Sequence, residues 1–123
     1  MADPFSVKRR PVEIRLKRED KALEVDFDDG QRFRLPAELL RVESPSAEIQ
    51  GHAGEKRIIG GRRHVGITGV EPVGNYAVRL LFDDLHDTGI YTWDYLYELG
   101  AGQERVWQTY LDALAAQGLA RDP

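Results

Sequence analysis

In the run Asp83-Asp84-Leu85-His86-Asp87, carboxylates surround a single imidazole. Asp83, Asp84 and Asp87 could raise the proton affinity of His86 or help it hold a divalent cation, because oxygen anions favour both an imidazolium and a hard metal ion. A short solvated acidic turn is the competing reading, since the set has one neutral ligand. Glu48 and His52 have the spacing of neighbours on a helical face and could add to such a site, although a histidine beside Gly51 equally fits polar surface. Tyr76, Tyr91, Trp93, Tyr95 and Tyr97 gather apolar bodies with polar tips, which suits a core or an interface. Tyr95 and Tyr97 cannot both face inward on one helical stripe, so one of them is expected to be exposed. Lys56, Arg57, Arg62 and Arg63 lie in a glycine-rich stretch and could meet an acidic partner or a nucleic-acid backbone, with a solvated loop as the simpler reading.

Several chemistries are disfavoured outright. The 123 residues contain no cysteine, which removes disulfides, thiolate nucleophiles and cysteine-bound metals. No glycine run has the spacing of a phosphate loop, and the serines lie in a terminal tail or in capped turns and not in a nucleophile motif. A formal charge of -4 argues against general nucleic-acid binding. Apolar runs are too short to cross a bilayer, and the N-terminal stretch lacks the apolar centre of a secretory signal, so a cytoplasmic protein without a membrane role is expected. No cofactor is expected.

The elements that must position these groups follow from periodicity. Val12, Ile14 and Leu16 alternate with charged residues and predict a half-buried strand with those three inward. Leu23, Val25 and Phe27, then the Asp28-Asp29-Gly30 turn, then Phe33 and Leu35, complete a three-strand meander. Pro36 opens a short helix ending near Glu43, and Ser44-Pro45 caps a further helical turn stopped at Gly51. Residues 51–66 are expected to form a flexible basic loop. Strands are predicted over 67–73 and 77–82, and an aromatic strand over 89–93. A helix begins at Asp94, is interrupted at Gly100 and Gly102, and resumes from Glu104 with Val106, Leu111 and Leu114 inward. The expectation is an α+β fold: a flexible tail over 1–10, then one domain over 11–123 with its core at 12–100. It comprises a small, mainly antiparallel sheet, a short helix after the third strand, and C-terminal helices, the last at about 103–118, packed on one side.

The segments LRVESPSAEIQGH (40–52) and PVGNYAVRLLFDDLHDTGIYTWDYLYEL (72–99) resemble the DUF971 family, the gamma-butyrobetaine hydroxylase-like N-terminal domain, over roughly residues 12–100. In dioxygenases the domain so resembled precedes a separate iron and 2-oxoglutarate catalytic domain and holds a structural zinc with three cysteines and a histidine. A related domain is fused to P-loop iron-sulfur carrier ATPases of the Mrp type. Laid onto this chain, the cysteine positions fall near Ser44, Ser46 and Ile49 and the histidine on His86, so only His86 could ligate. The resemblance therefore implies a chain without the zinc, its 44–49 turn held beside His86 by hydrogen bonds and packing. Hydroxylase activity is not expected to transfer, because these residues include no counterpart of the catalytic half and His86-Asp87-Thr88 lacks the iron-triad spacing.

The expected function is a non-catalytic protein-interaction or adaptor module, with iron-sulfur cluster assembly as its setting and an Mrp-type carrier ATPase as its partner. Its binding surface would combine Arg41 and Glu48 for charge pairing, His86 for hydrogen bonding, Tyr91 and Trp93 as anchors, and the neighbouring His52 and Asp83. The alternative is a metal-ion or small-ligand domain centred on His86, Asp83 and Asp87, with His52. An enzyme acting on a small metabolite is a third reading for which the residues name no nucleophile or base.

Overall fold

Alternating apolar residues and turn chemistry build two antiparallel meanders. The structure, a computed structural model, describes residues 9–46 and 57–123. The first meander pairs β1 (Pro11–Lys17), β2 (Ala22–Phe27) and β3 (Arg32–Pro36) in the order β1-β2-β3. Its central strand buries Leu23, Val25 and Phe27, as the period of two requires. In β1 the inward set is smaller than expected: Ile14 and Leu16 pack on the core, but Val12 is 68% exposed. The cause is a bulge, since Pro11 pairs with Phe27 and Glu13 with Asp26, so Val12 has no opposite number.

Pro36 precedes α1 (Ala37–Val42), which is buried along its whole length, and Glu43 closes it. The second meander pairs β4 (Ile67–Val73), β5 (Ala77–Phe82) and β6 (Ile90–Thr92) in the order β4-β5-β6. The strands thus divide between two sheets. Side chains of the turn between β1 and β2 link them: Arg18 donates to the Thr68 carbonyl in β4 at 3.2 Å and Lys21 to that of His64, before β4, at 2.8 Å. The main core lies between the sheets and the helices, from Leu23, Val25 and Leu35 through Leu39 and Leu40 to Val78, Leu80, Tyr91 and Leu96.

Thr92 caps α2 (Trp93–Ala101) by accepting the Tyr95 amide at 3.2 Å. Gly102 separates it from α3 (Gln103–Ala116). An added Cβ at Gly100 would sit 2.2 Å from Phe33 Cγ, so the glycine that weakens the helical pattern is what lets α2 lie on β3. Along α3 the buried residues are Tyr110 and Leu114, while Val106 and Leu111 are half-buried. Tyr110, Leu111 and Leu114 form a second apolar cluster with Val42, Ile58 and Ile59, while Val106 packs on the main core.

Contacts are present in parts of two segments expected to be mobile. Residues 57–66 are held in place: Tyr110 donates to the Ile59 carbonyl at 2.6 Å, and the Gly61 and Arg63 amides donate to Ala120 and Arg121 at 2.8 and 3.0 Å. The anchor is the Ile58-Ile59 pair, which carries no periodic signal. At the other end, Arg9 lies over the Tyr97 ring at 4.0 Å and Arg10 accepts the Asp28 amide at 2.9 Å, so these two belong to the fold. The expectations for 1–8 and 51–56 lie outside the described residues. Among the described residues no helix is long and apolar enough to cross a membrane.

Candidate functional site

The acidic turn is a tight reversal at the end of β5. The Phe82 amide donates to the His86 carbonyl at 3.0 Å and the Leu85 amide to the Phe82 carbonyl at 3.2 Å, while the Asp83 amide reaches Gly66 at 2.9 Å. Closing this loop puts Leu85 at φ +70°, a left-handed conformation that residues with a Cβ avoid. Alternate residues then point to opposite sides. His86 is buried and the Asp84 side chain turns toward Arg41 and Arg62 while part of the residue stays exposed, whereas Asp83, Leu85 and Asp87 face outward and are exposed, Leu85 at 90%.

The inward pair ties the turn to the end of α1. His86, 6% exposed, places Nε2 at 3.0 Å from Ser44 Oγ and 3.3 Å from Ser46 Oγ. Asp84 Oδ1 accepts the His86 amide at 3.2 Å, and its Oδ2 accepts Arg41 Nε at 2.8 Å and pairs with Arg62 Nε at 2.9 Å. Burial pushes the Asp84 carboxyl up, but the Arg41 hydrogen bond, the His86 amide and the two guanidinium charges outweigh it and hold it below the ordinary range. Arg41 is 3% exposed and the Asp84 side chain 24%, so this is a part-buried ion pair across the α1–turn junction. Tyr91 donates to the Leu40 carbonyl and Tyr95 to that of Glu43, fastening β6 and α2 to the same junction. Gly89 fits the close approach: an added Cβ would meet Ser44 Oγ at 2.5 Å and the Tyr91 ring at 3.0 Å.

The residues proposed as a binding surface are therefore split by the fold. Arg41, His86 and Tyr91 are brought together, but in the interior, and offer a partner almost no area. Trp93 is half-buried with its indole N–H donating to the Asn75 carbonyl at 2.7 Å. Tyr95 and Tyr97 are both half-buried, Tyr97 donating to Asp29 at 2.6 Å, so neither is the exposed one expected. Asp83 and Asp87 are exposed and do not converge on the His86 ring. Glu48, His52 and Ile49 lie outside the described residues. From the sequence Arg62 is only one of four basic residues in a glycine-rich stretch, and Leu85 has no role of its own. Nothing in a basic glycine-rich stretch marks which arginine turns inward, and only a glycine or asparagine would have signalled a left-handed residue.

Chemically, the Ser44–His86 distance is that of a nucleophile and its base, and Ser44 is 0% exposed. Among the described residues no three histidine, cysteine or carboxylate side chains come close enough to hold a metal ion.

The model of the family described as gamma-butyrobetaine hydroxylase-like, N-terminal, matches residues 14–97. The chain belongs to this family. Its fold agrees with solved relatives. One NMR solution structure is 49% identical, with 94% of this chain and 91% of that chain covered and a TM-score of 0.82. Another is 46% identical, with 100% and 92% covered and a TM-score of 0.83. A crystal structure of a DUF971-family protein of unknown function from Acidithiobacillus ferrooxidans is 46% identical, with 75% and 93% covered and a TM-score of 0.64. No curated protein matches. For the zinc that the family resemblance implies, this chain has the wrong donors. Ser44 and Ser46 bring neutral hydroxyls to His86 Nε2 where thiolates would be needed, so these residues do not fit the ion.

Proposed function

We propose that this member of the gamma-butyrobetaine hydroxylase-like N-terminal family is a non-catalytic protein-interaction module that works beside iron-sulfur cluster assembly, with an Mrp-type carrier ATPase as its partner. The observation that carries the reading is the locked base of the 83–87 turn. Its inward groups are bonded to α1 and to Arg62, so Asp83, Leu85 and Asp87 are presented on a rigid platform. Recognition elements held rigidly lose little entropy on binding. The iron-sulfur setting rests on the fused relatives that the sequence resembles. The metal reading has weaker support, because the carboxylate nearest His86 is engaged by two arginines.

The test is purification of the tagged protein from its own cells beside an Asp83→Lys, Asp87→Lys variant whose circular dichroism and melting match the wild type. A carrier ATPase retained by the wild type and lost by the variant is the expected result. Identical co-purifying proteins in both samples would refute the reading.

A further inference from the structure

Leu85 is placed where the fold gives it no internal use. Its φ of +70° is strained for any side chain with a Cβ, and a glycine or asparagine would occupy the position at lower cost. Strain of this kind is ordinarily offset by burial, but Leu85 is 90% exposed. Nor can the backbone relax easily, because the turn is fixed by the Phe82–His86 and Leu85–Phe82 hydrogen bonds and by Asp84 on the His86 amide. Exposure alone would mean little, since single apolar residues on surfaces are common. Val12 and Leu119 are exposed too, at 68% and 42%, but neither has a left-handed backbone. Leu85 alone among the described residues combines a large apolar side chain, near-complete exposure and positive φ.

We infer that Leu85 is the anchor by which this chain engages its partner, and that it enters an apolar socket rimmed by lysine or arginine on a folded protein. This rests on the interaction reading above and names its contact point. The socket must be concave because the anchor stands at the tip of a reversal. Its rim is basic because Asp83 and Asp87 flank the leucine and are exposed; Arg79 lies near enough to feel Asp87 but is bonded to Glu71, and the charge of Asp84 is matched by Arg41 and Arg62. The acids steer and orient, and the leucine supplies the buried apolar contact. A leucine fixed in one backbone conformation loses less freedom on docking than one on a mobile loop.

The test uses the full chain in its own cells with a diazirine analogue of leucine at position 85 and, as control, at position 119. Irradiation should give a discrete adduct from position 85 only, and the crosslinked peptide of the partner should carry apolar residues flanked by lysine or arginine. In extracts of those cells, Asp83→Asn with Asp87→Asn should lower adduct yield, more so at low salt than at high salt. Leu85→Gly should reduce co-purification of that partner by about tenfold or more. Equal adducts at both positions, no adduct at position 85, or an adduct between two copies of this chain would overturn the inference, as would a socket without basic residues. Should the charge-reversed Asp83 and Asp87 variant lose the partner while Leu85→Gly keeps it, the interaction module stands and the anchor falls.

Discussion

Replacing Leu85 by glycine should make the protein more stable, an unusual direction for a large-to-small change. The left-handed conformation costs a residue with a Cβ about 1–2 kcal/mol, which glycine avoids. Against this, glycine adds backbone freedom to the unfolded chain, costing about 0.4–1 kcal/mol. The burial lost is small because the side chain is 90% exposed, so no cavity is created. The balance is a gain of about 0.5–1 kcal/mol, which for a domain of this size raises Tm by about 2–4 °C. Leu85→Ala separates the contributions. It removes the same exposed methyl groups but keeps the Cβ at φ +70°, so Tm should hardly move. Thermal melts followed by circular dichroism, with urea midpoints as a second measure, decide the matter. If glycine lowers Tm below that of the alanine variant, the leucine makes contacts in solution that stabilise the turn, and the reasoning from backbone strain fails.

Gly100→Ala should act in the opposite direction. The helical gain of about 1 kcal/mol over glycine is set against a Cβ placed 2.2 Å from Phe33 Cγ, and that ring is held edge-on by Phe27 and Tyr97 with centroids 5.9 and 5.2 Å away. Overpacking of this kind costs about 1–3 kcal/mol or more, so a net loss and a lower Tm are expected, and an unchanged or higher Tm would show that α2 can move away from β3. Burial pushes the phenols of Tyr91 and Tyr95 upward and that of Tyr110 to about 12. The folded state therefore keeps protons that the unfolded chain releases near pH 10. Stability is fully present below pH 10 and declines as pH rises toward the folded values. Tyrosinate absorbance should rise for these side chains together with loss of the circular dichroism signal, and complete ionisation of the tyrosines near pH 10 with the fold intact would contradict it.

How far the sequence was legible depended on whether a residue's role was local. The strands around Leu23-Val25-Phe27 and Ala77–Phe82, the helix opened by Pro36 and the break at Gly102 are all marked by period or by turn residues, and all are present, whereas the helix runs on through Gly100, where an interruption was expected. The chain also gave its family, whose model covers residues 14–97. What it withheld were interactions between distant segments. Ile58 and Ile59 read as part of a polar loop because their partner Tyr110 lies far along the chain. Arg41 reads as the exposed charge of an amphipathic helix, and only the return of Asp84 to the end of α1 makes it a buried ion-pair partner. A bulge moves Val12 outward for the same reason: register belongs to the pair of strands and cannot be read from one.

The split orientation of the 83–87 turn also decides which substitutions can speak about function. Each three-stranded sheet is small, and the junction of Arg41, Ser44 and Ser46 with Asp84 and His86 fastens the segment after the first sheet to the turn of the second. Removing His86 or Arg41 would loosen that junction and displace Asp83, Leu85 and Asp87 along with it. A loss of binding in such a variant could then come from a misplaced turn as readily as from a lost contact. Substitutions at Asp83, Leu85 or Asp87 leave the inward hydrogen bonds in place and change only what a partner meets. Binding lost there with Tm kept or raised assigns the outer face to recognition and the inner face to support. Binding lost only with Tm would return the whole turn to a structural role.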